Sequence, residues 1–356
     1  MLSSKHLKVF FLLLISLSYY KNIFGYGSTP PLTPTIVKTS AFITDIQSLD
    51  EVNEQLQIDV IFRFKWNDPR LKFDKNDEKT LYKLYQGDFQ YDEIFEGWRP
   101  QISIINEVGS PQIKARQIKI YPNGDIIYTE QRTLHLETPM QLEKFPFDKQ
   151  TLKAYIIPFG YNSSEVKLVV EPNHRITVED YVKDHPNINI AEWHLANFNL
   201  TNTEPTKYYY GKSEKISMLE FSISLERKPT NILLKVLIPL TLLVLAMWSV
   251  FWMDTKALSD RLNIAFIGIL SVIAYQFLIE GEMPDIDYLT FTDGFLLLSF
   301  TILFSTVLES LIVYWLIKSN RNKFAKKLDI FSRFAFPITY ILFIFTLYIG
   351  SFQLTV

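Results

Sequence analysis

Six residues late in the chain, Asn263, Ile267, Leu270, Ala274, Phe277 and Gly281, follow one another at intervals of four, three, four, three and four. On a helix this spacing puts all six on one face. Asp260 stands at the start of that face and Glu280 near its end, and the run opens Ser259-Asp260-Arg261-Leu262-Asn263 before turning apolar. Ionisable groups are costly inside a membrane and tend to face protein or water rather than lipid. The chemistry this pattern offers is therefore ion handling along a water-filled path. Carboxylates attract cations, and apolar rings gate by dewetting. Two other readings stay open from the residues alone. The stripe can be a packing face like most apolar stripes, and Asp260 can be an acid that complements a helix dipole.

The elements that must position these residues are helices long enough to cross a bilayer. After Arg227-Lys228-Pro229 come four apolar stretches, over about 230–253, 258–280, 291–317 and 331–352. A helix of about 22 residues is about 33 Å long, against a hydrocarbon core of about 30 Å. Lys318, Arg321, Lys323, Lys326 and Lys327 lie between the third and fourth stretches. Such basic links are cytoplasmic, which places the Thr230 end and the C-terminus outside. At the N-terminus, Lys5, His6 and Lys8 precede the run Val9 to Leu17, with Gly25, Gly27 and Ser28 after it. This reads as a secretory signal over residues 1–27, the alternative being a fifth membrane helix. Signal and basic link require the same orientation. Trp248 and Trp252 read as an interfacial belt. Glu309, inside the third stretch, is expected to face other protein or a water pocket, or to serve as a structural acceptor.

Residues 28–228 read as a water-soluble β-sandwich. Leu56, Ile58, Val60, Phe62, Phe64 and Trp66 alternate with Gln55, Gln57, Asp59, Arg63 and Lys65, a half-buried strand, with Ile61 the apolar exception on the polar face. Gln112 to Tyr121 and Asp125 to Leu136 flank Pro122-Asn123-Gly124, a hairpin signal. Further strands are expected at Lys153 to Ile157, Val166 to Val170, Glu192 to Leu200 and Met218 to Arg227, with Asp74 to Tyr85 the one helix-like segment. The chain of 356 residues has a net charge of −2 and no cysteine. Disulfides, thiolate metal sites and cysteine nucleophiles are excluded. No basic cluster in the soluble half points to nucleic acid. No GxSxG, HExxH or Walker pattern points to an enzyme.

Several local patterns resemble the pentameric ligand-gated ion channels, the Cys-loop receptor superfamily. They are Trp66-Asn67-Asp68-Pro69-Arg70-Leu71, Trp98-Arg99-Pro100 with Asn106-Glu107, and Phe145-Pro146-Phe147-Asp148-Lys149-Gln150. Arg227-Lys228-Pro229 then leads into a first span that contains Pro239. Order and spacing match from about Thr35 to the end. Thr138 and Leu152 stand where that family's signature loop has its two cysteines, and the link after Ile317 is short. Both features are similar to the cysteine-free prokaryotic branch.

The resemblance implies an extracellular antiparallel, Ig-like β-sandwich on a four-helix transmembrane bundle. It implies a homopentamer around a central pore in a plasma (inner) membrane, with lipids, permeant monovalent cations and a small-molecule agonist or protons as partners. No cofactor and no metal are implied. Asp260, Asn263, Ile267, Leu270, Ala274, Phe277 and Gly281 would line the pore, with Arg261 turned away. Agonist would bind between subunits at Phe159, Tyr161, Tyr208, Tyr209, Tyr210 and Ile105, facing Ile61 of the next subunit. The isoleucines at 105 and 61, and Ile216, stand where relatives carry rings, so the cage is incomplete. Protons are an alternative trigger through His135, His174, His185 or His194, since an unperturbed histidine changes charge near the physiological range. Glu179, Asp180 and Asp184 could hold a divalent cation or form a solvated loop. Coupling would run through Pro146, Phe147, Asp148, Arg227 and Pro284, with Ser48 to Glu51 and Phe145 against the loop Gly281 to Asp287. A membrane-anchored binding or scaffold module without conduction is the alternative function.

Overall fold

A computed structural model describes residues 29–171, 188, 192–203, 215–281 and 286–353. The expected signal over 1–27, Tyr208, Tyr209, Tyr210, Pro284, His174, His185, Glu179, Asp180 and Asp184 lie outside the described residues.

Among the described residues, alternation in the soluble half produces ten strands in two sheets. β1 (Thr35–Asp50), β2 (Gln55–Asn67), β3 (Lys83–Gln86), β5 (Gln112–Ile120), β6 (Asp125–Glu137) and β8 (Val166–Val170) form one sheet in the order β3-β5-β6-β2-β1-β8. β4 (Ile102–Ile104), β7 (Lys149–Pro158), β9 (Trp193–Thr203) and β10 (Met218–Arg227) form the other in the order β4-β7-β10-β9. Pairing is antiparallel except between β1 and β8, which run parallel. The core lies between the sheets. Leu56, Ile58, Val60, Phe62, Phe64 and Trp66 of β2 meet Leu219, Phe221, Ile223 and Leu225 of β10 in one buried cluster.

The motifs that carried the resemblance hold this sandwich together. Asp68 accepts from Arg70 N and pairs with the Arg70 guanidinium through both oxygens. Its own amide donates to Gly124 O at 2.8 Å, seating the β5–β6 turn. Gly124 has φ +83°, and a Cβ there would stand 2.6 Å from Asp68 O, so both backbone conformation and space require glycine. Asn106 Nδ2 donates to Glu137 O and Lys153 O, tying one sheet to the other.

The segment expected to be helical, Asp74 to Tyr85, is corrected. Only Lys75–Glu78 makes a turn, capped by Asp74 and ended by Lys79 at φ 49°, and β3 then pairs with β5. Cross-strand pairing and the left-handed residue outweigh the local helical pattern.

Among the described residues, four helices are long and apolar enough to cross a membrane: α1 (Thr230–Trp252), α2 (Leu258–Glu280), α3 (Phe291–Lys318) and α4 (Asn322–Gln353). α1 widens to a π-type turn over Leu233–Leu237, just ahead of Pro239. Proline lacks an N–H and crowds the carbonyl four residues before it, so the ladder shifts there. α3 starts on a capping box in which Thr290 and Asp293 satisfy each other's backbone N–H groups. α4 begins nine residues earlier than the apolar run from Phe331 suggested. Its first turns are amphipathic and bury Ala325, Asp329 and Ser332 against the bundle.

Candidate functional site: pore face, domain junction and outer pocket

On α2 the residues sort by face. Arg261, Ala265, Gly268, Val272 and Ile279 are buried against the other helices of the same chain. Gly268 has no room for a side chain, since a Cβ would stand 2.8 Å from Met247 Cγ, so α1 and α2 approach closely here. The opposite face holds Asp260, Asn263, Ile267, Leu270, Ala274, Phe277 and Gly281, every one exposed in the single chain. Leu270 is 65% and Phe277 70% exposed, which is unusual for large apolar side chains unless a membrane, a partner or an apolar lumen covers them. Arg261, one residue from exposed Asp260, is 1% exposed.

The junction between sandwich and bundle is built on Arg227, the last residue of β10. Its guanidinium donates to both oxygens of Asp148, at 2.6 and 3.2 Å, and to Glu51 Oε1 at 2.8 Å. It lies over the rings of Trp193 and Phe145, at 4.2 and 4.7 Å from their centroids. Gln150 Nε2 holds Asp148 from the other side at 2.7 Å. Burial pushes the Glu51 carboxyl above the usual carboxylate range, and the Arg227 hydrogen bond only partly offsets it. Phe145, Glu51, Arg227, Leu278 and Gly281 share a cavity of ≈ 480 Å³ at this level. The loop from Pro139 to Asp148 also reaches past Gly281. Phe291 N donates to Glu143 O, Thr292 Oγ1 donates to Phe145 O, and Leu142 N donates to Tyr288 Oη. Phe147 meets the rings of Phe291 and Tyr348, 5.5 and 5.9 Å between centroids. Among the described residues, the loop thus docks chiefly on the start of α3 and on α4, and the expected contact with the 281–287 loop accounts for only part of it. Pro146 sits at a cis peptide between Phe145 and Phe147.

Of the residues expected at an outer pocket, Phe159, Tyr161 and Ile105 follow strands of one sheet and Ile61 lies on the other. Phe159 is 53% exposed, with its amide held by Gln101 O. Ile105 is half-buried, and its amide donates to Tyr155 O at 2.9 Å. Tyr161 turns inward. Its ring packs edge-on against Trp98 and its hydroxyl accepts from Trp98 Nε1 at 3.0 Å, so it supports the Phe159 loop and offers no free ring. Ile61 lies on the other sheet, in an open cavity of ≈ 430 Å³ with Gln86, Lys114, Arg116 and Gln131. One chain does not bring Ile61 and Phe159 together. His135 is half-buried, with its shielded Nε2 lacking a hydrogen bond, and His194 is exposed.

Comparison with known proteins decides the family. Residues 26–229 match the family model for the neurotransmitter-gated ion-channel ligand binding domain, more than half of the chain. This chain belongs to the pentameric ligand-gated ion-channel family. The chain is 21% identical to the proton-gated ion channel of Gloeobacter violaceus over 315 residues, 88% of this chain and 83% of that one. It is 25% identical to the glutamate-gated chloride channel of Drosophila melanogaster over 302 residues, 82% of this chain and 61% of that one. It is 23% identical to the human glycine receptor subunit beta over 306 residues, covering 58% of that subunit. The relatives are channels and receptors, and this chain, with four apolar spans among the described residues, is a multi-pass membrane protein.

Several contact residues of the channel escaped sequence reasoning. Trp193 and Gln150 flank the Arg227–Asp148 pair, and Tyr288 and Thr292 receive the loop above them. The Thr290-x-x-Asp293 cap was the available signal for the last two, because it fixes the start of α3 at the loop's landing point.

Proposed function

We propose that this protein is a homopentameric, cation-selective channel opened by an external chemical signal. The observation that carries the reading is the division of α2. One face packs inside the subunit, and the face from Asp260 through Leu270 to Gly281 is left for something outside it. Five such faces around an axis give an acidic ring, an amide ring and then apolar rings, the arrangement that selects cations and closes by dewetting. The relatives include an anion channel, so selectivity is argued from this chain. Asp260 is exposed and Arg261 is withdrawn into the bundle on a fixed partner, which leaves a carboxylate as the charge on the open face of α2 at that end.

In this reading residues 28–228 are the external ligand-binding domain and 229–356 the membrane domain. The subunit sits in a plasma (inner) membrane with sandwich and C-terminus outside the cytoplasm, in keeping with the basic link after α3. Agonist binds between subunits, where Phe159 and Ile105 of one chain face Ile61 of the next. Tyr208, Tyr209 and Tyr210 complete the site and Tyr161 braces it. The placement of Phe159 in the turn after β7 and of Ile61 on β2 of the other sheet supports a shared site. The trigger is a small molecule or protons, the latter favoured by the relative described as proton-gated. Asp148, Arg227, Phe147, Pro146 and Pro284 carry the signal to the bundle.

The test is recording from purified protein in liposomes while amines, pH and divalent ions are screened in unequal salt. A current reversing near the cation equilibrium potential is expected. Reversal at the anion potential would overturn the selectivity, and silence under every trigger would favour an anchored binding module.

A further inference from the structure

The end of the bundle that carries Asp260 also holds a buried polar cluster to which every helix contributes. Arg261 of α2 donates through Nη2 to Asp329 Oδ1 of α4 at 2.7 Å, and to Met253 O, just beyond α1, at 2.7 Å. Arg333 of α4 donates to Asp329 Oδ2 at 2.9 Å and to Phe251 O of α1 at 2.8 Å. Glu309 of α3 completes the set, with Oε2 3.9 Å from Arg261 Nη1. Arg261, Asp329 and Glu309 are all at most 5% exposed.

The arrangement is asymmetric. Arg261 is bonded tightly to α4 and to the end of α1. Its Nε and Nη1, both Glu309 oxygens and Ser310 Oγ are shielded from solvent without a hydrogen bond. Stability alone does not account for such a cluster, because well-packed apolar residues would hold four helices together at no desolvation cost. Position does account for it. Arg261 follows Asp260 directly, and successive residues are about 100° apart around a helix. A guanidinium fixed on Asp329 and Met253 O therefore fixes the rotation of α2 at this end, and with it the direction in which Asp260 points.

We propose that α4, through Asp329 and Arg261, positions the Asp260 ring and is thereby a determinant of conduction. This rests on the reading of Asp260 to Gly281 as the pore face. Arg261 and Asp329 are positioning residues and do not themselves meet the permeating ion. Without Asp329, Arg261 retains Glu309 as its countercharge, so α2 turns toward α3 and the bundle stays assembled.

The absence of native cysteine makes the test clean. Asn263→Cys is introduced as a reporter, and its modification by a charged, water-soluble thiosulfonate is followed as block of current. The rate is measured in the reporter background, with Asp329→Asn, and with Arg261→Lys, whose single ammonium cannot face both Asp329 and Glu309 as the two terminal guanidinium nitrogens do. The expected outcome is a change of about five- to tenfold in modification rate for both variants, the lower range of coupling between separated sites, with an altered single-channel conductance. Asp329→Glu, which keeps the charge, is expected to stay near the parental rate. Parental rate and conductance in Asp329→Asn would overturn the proposal. If Asp329→Asn fails to assemble, parental behaviour of Arg261→Lys overturns it equally. If Asn263→Cys is inert with every trigger in the reporter background, the pore reading itself fails, an outcome distinct from the other two.

Discussion

At the scale of single residues, the molecule concentrates its charge where helices and domains meet. Arg227 is held by two carboxylates and two aromatic rings at the junction. Removing one member of a buried pair leaves an uncompensated charge, at a cost of about 3–5 kcal/mol. Asp148→Ala or Arg227→Ala is therefore expected to abolish or strongly right-shift gating, or to block assembly, while any channels that open keep the parental conductance. An unchanged dose-response curve would contradict this. Glu51 gives a pH prediction. Its folded pKa is raised by burial above the unfolded value. Its contribution to stability is thus fully present below the ordinary carboxylate pKa and is lost as pH rises through the raised folded value. Glu51→Gln should flatten the pH dependence of thermal unfolding across the weakly acidic range, measured in detergent. An unaltered pH profile would count against the account of this site.

At the scale of elements, the decisive fact is how α2 presents its faces. Leu270 is the most prominent aliphatic side chain on the open face. Burying such a side chain is worth about 1.5–3 kcal/mol, so if its ring seals the closed pore, Leu270→Ser should raise agonist sensitivity about tenfold or produce spontaneous openings. Recording the concentration dependence of current checks this, and a parental curve would argue that the ring is not the gate. The stripe could be read from the sequence because helical spacing depends only on the helix. The same holds for β2 and β10, where period two and a half-buried position coincide. β1 was missed because it is bulged twice and pairs on both edges, so no strict alternation survives along Thr35–Asp50. β3 and β4, four and three residues long, are too short to carry a period. The partners of Arg261 were equally hidden. Asp329 lies 68 positions away on a turn that reads as part of a basic link, and only packing reveals that it faces inward.

At the scale of the whole molecule, the proposed function makes the chain incomplete by itself. A conducting lumen, and a pocket that joins Phe159 to Ile61, both need neighbouring copies. Native mass spectrometry of the purified protein is expected to find five subunits, and a monomer or a different stoichiometry would contradict the assembly. On the proposed reading the signal passes through the Pro139–Asp148 loop, which contacts α3 and α4. Removing the Thr292 hydroxyl by Thr292→Val should weaken gating with little effect on selectivity.

The central claim is that copies of α2 surround water, and scanning single cysteines along α2 in this cysteine-free chain tests it most directly. Reactivity toward a water-soluble thiol reagent with the channel open is expected at 263, 267, 270, 274 and 277, and protection at 265, 272 and 279. Uniform protection of the first set, or the reverse pattern, would contradict the account.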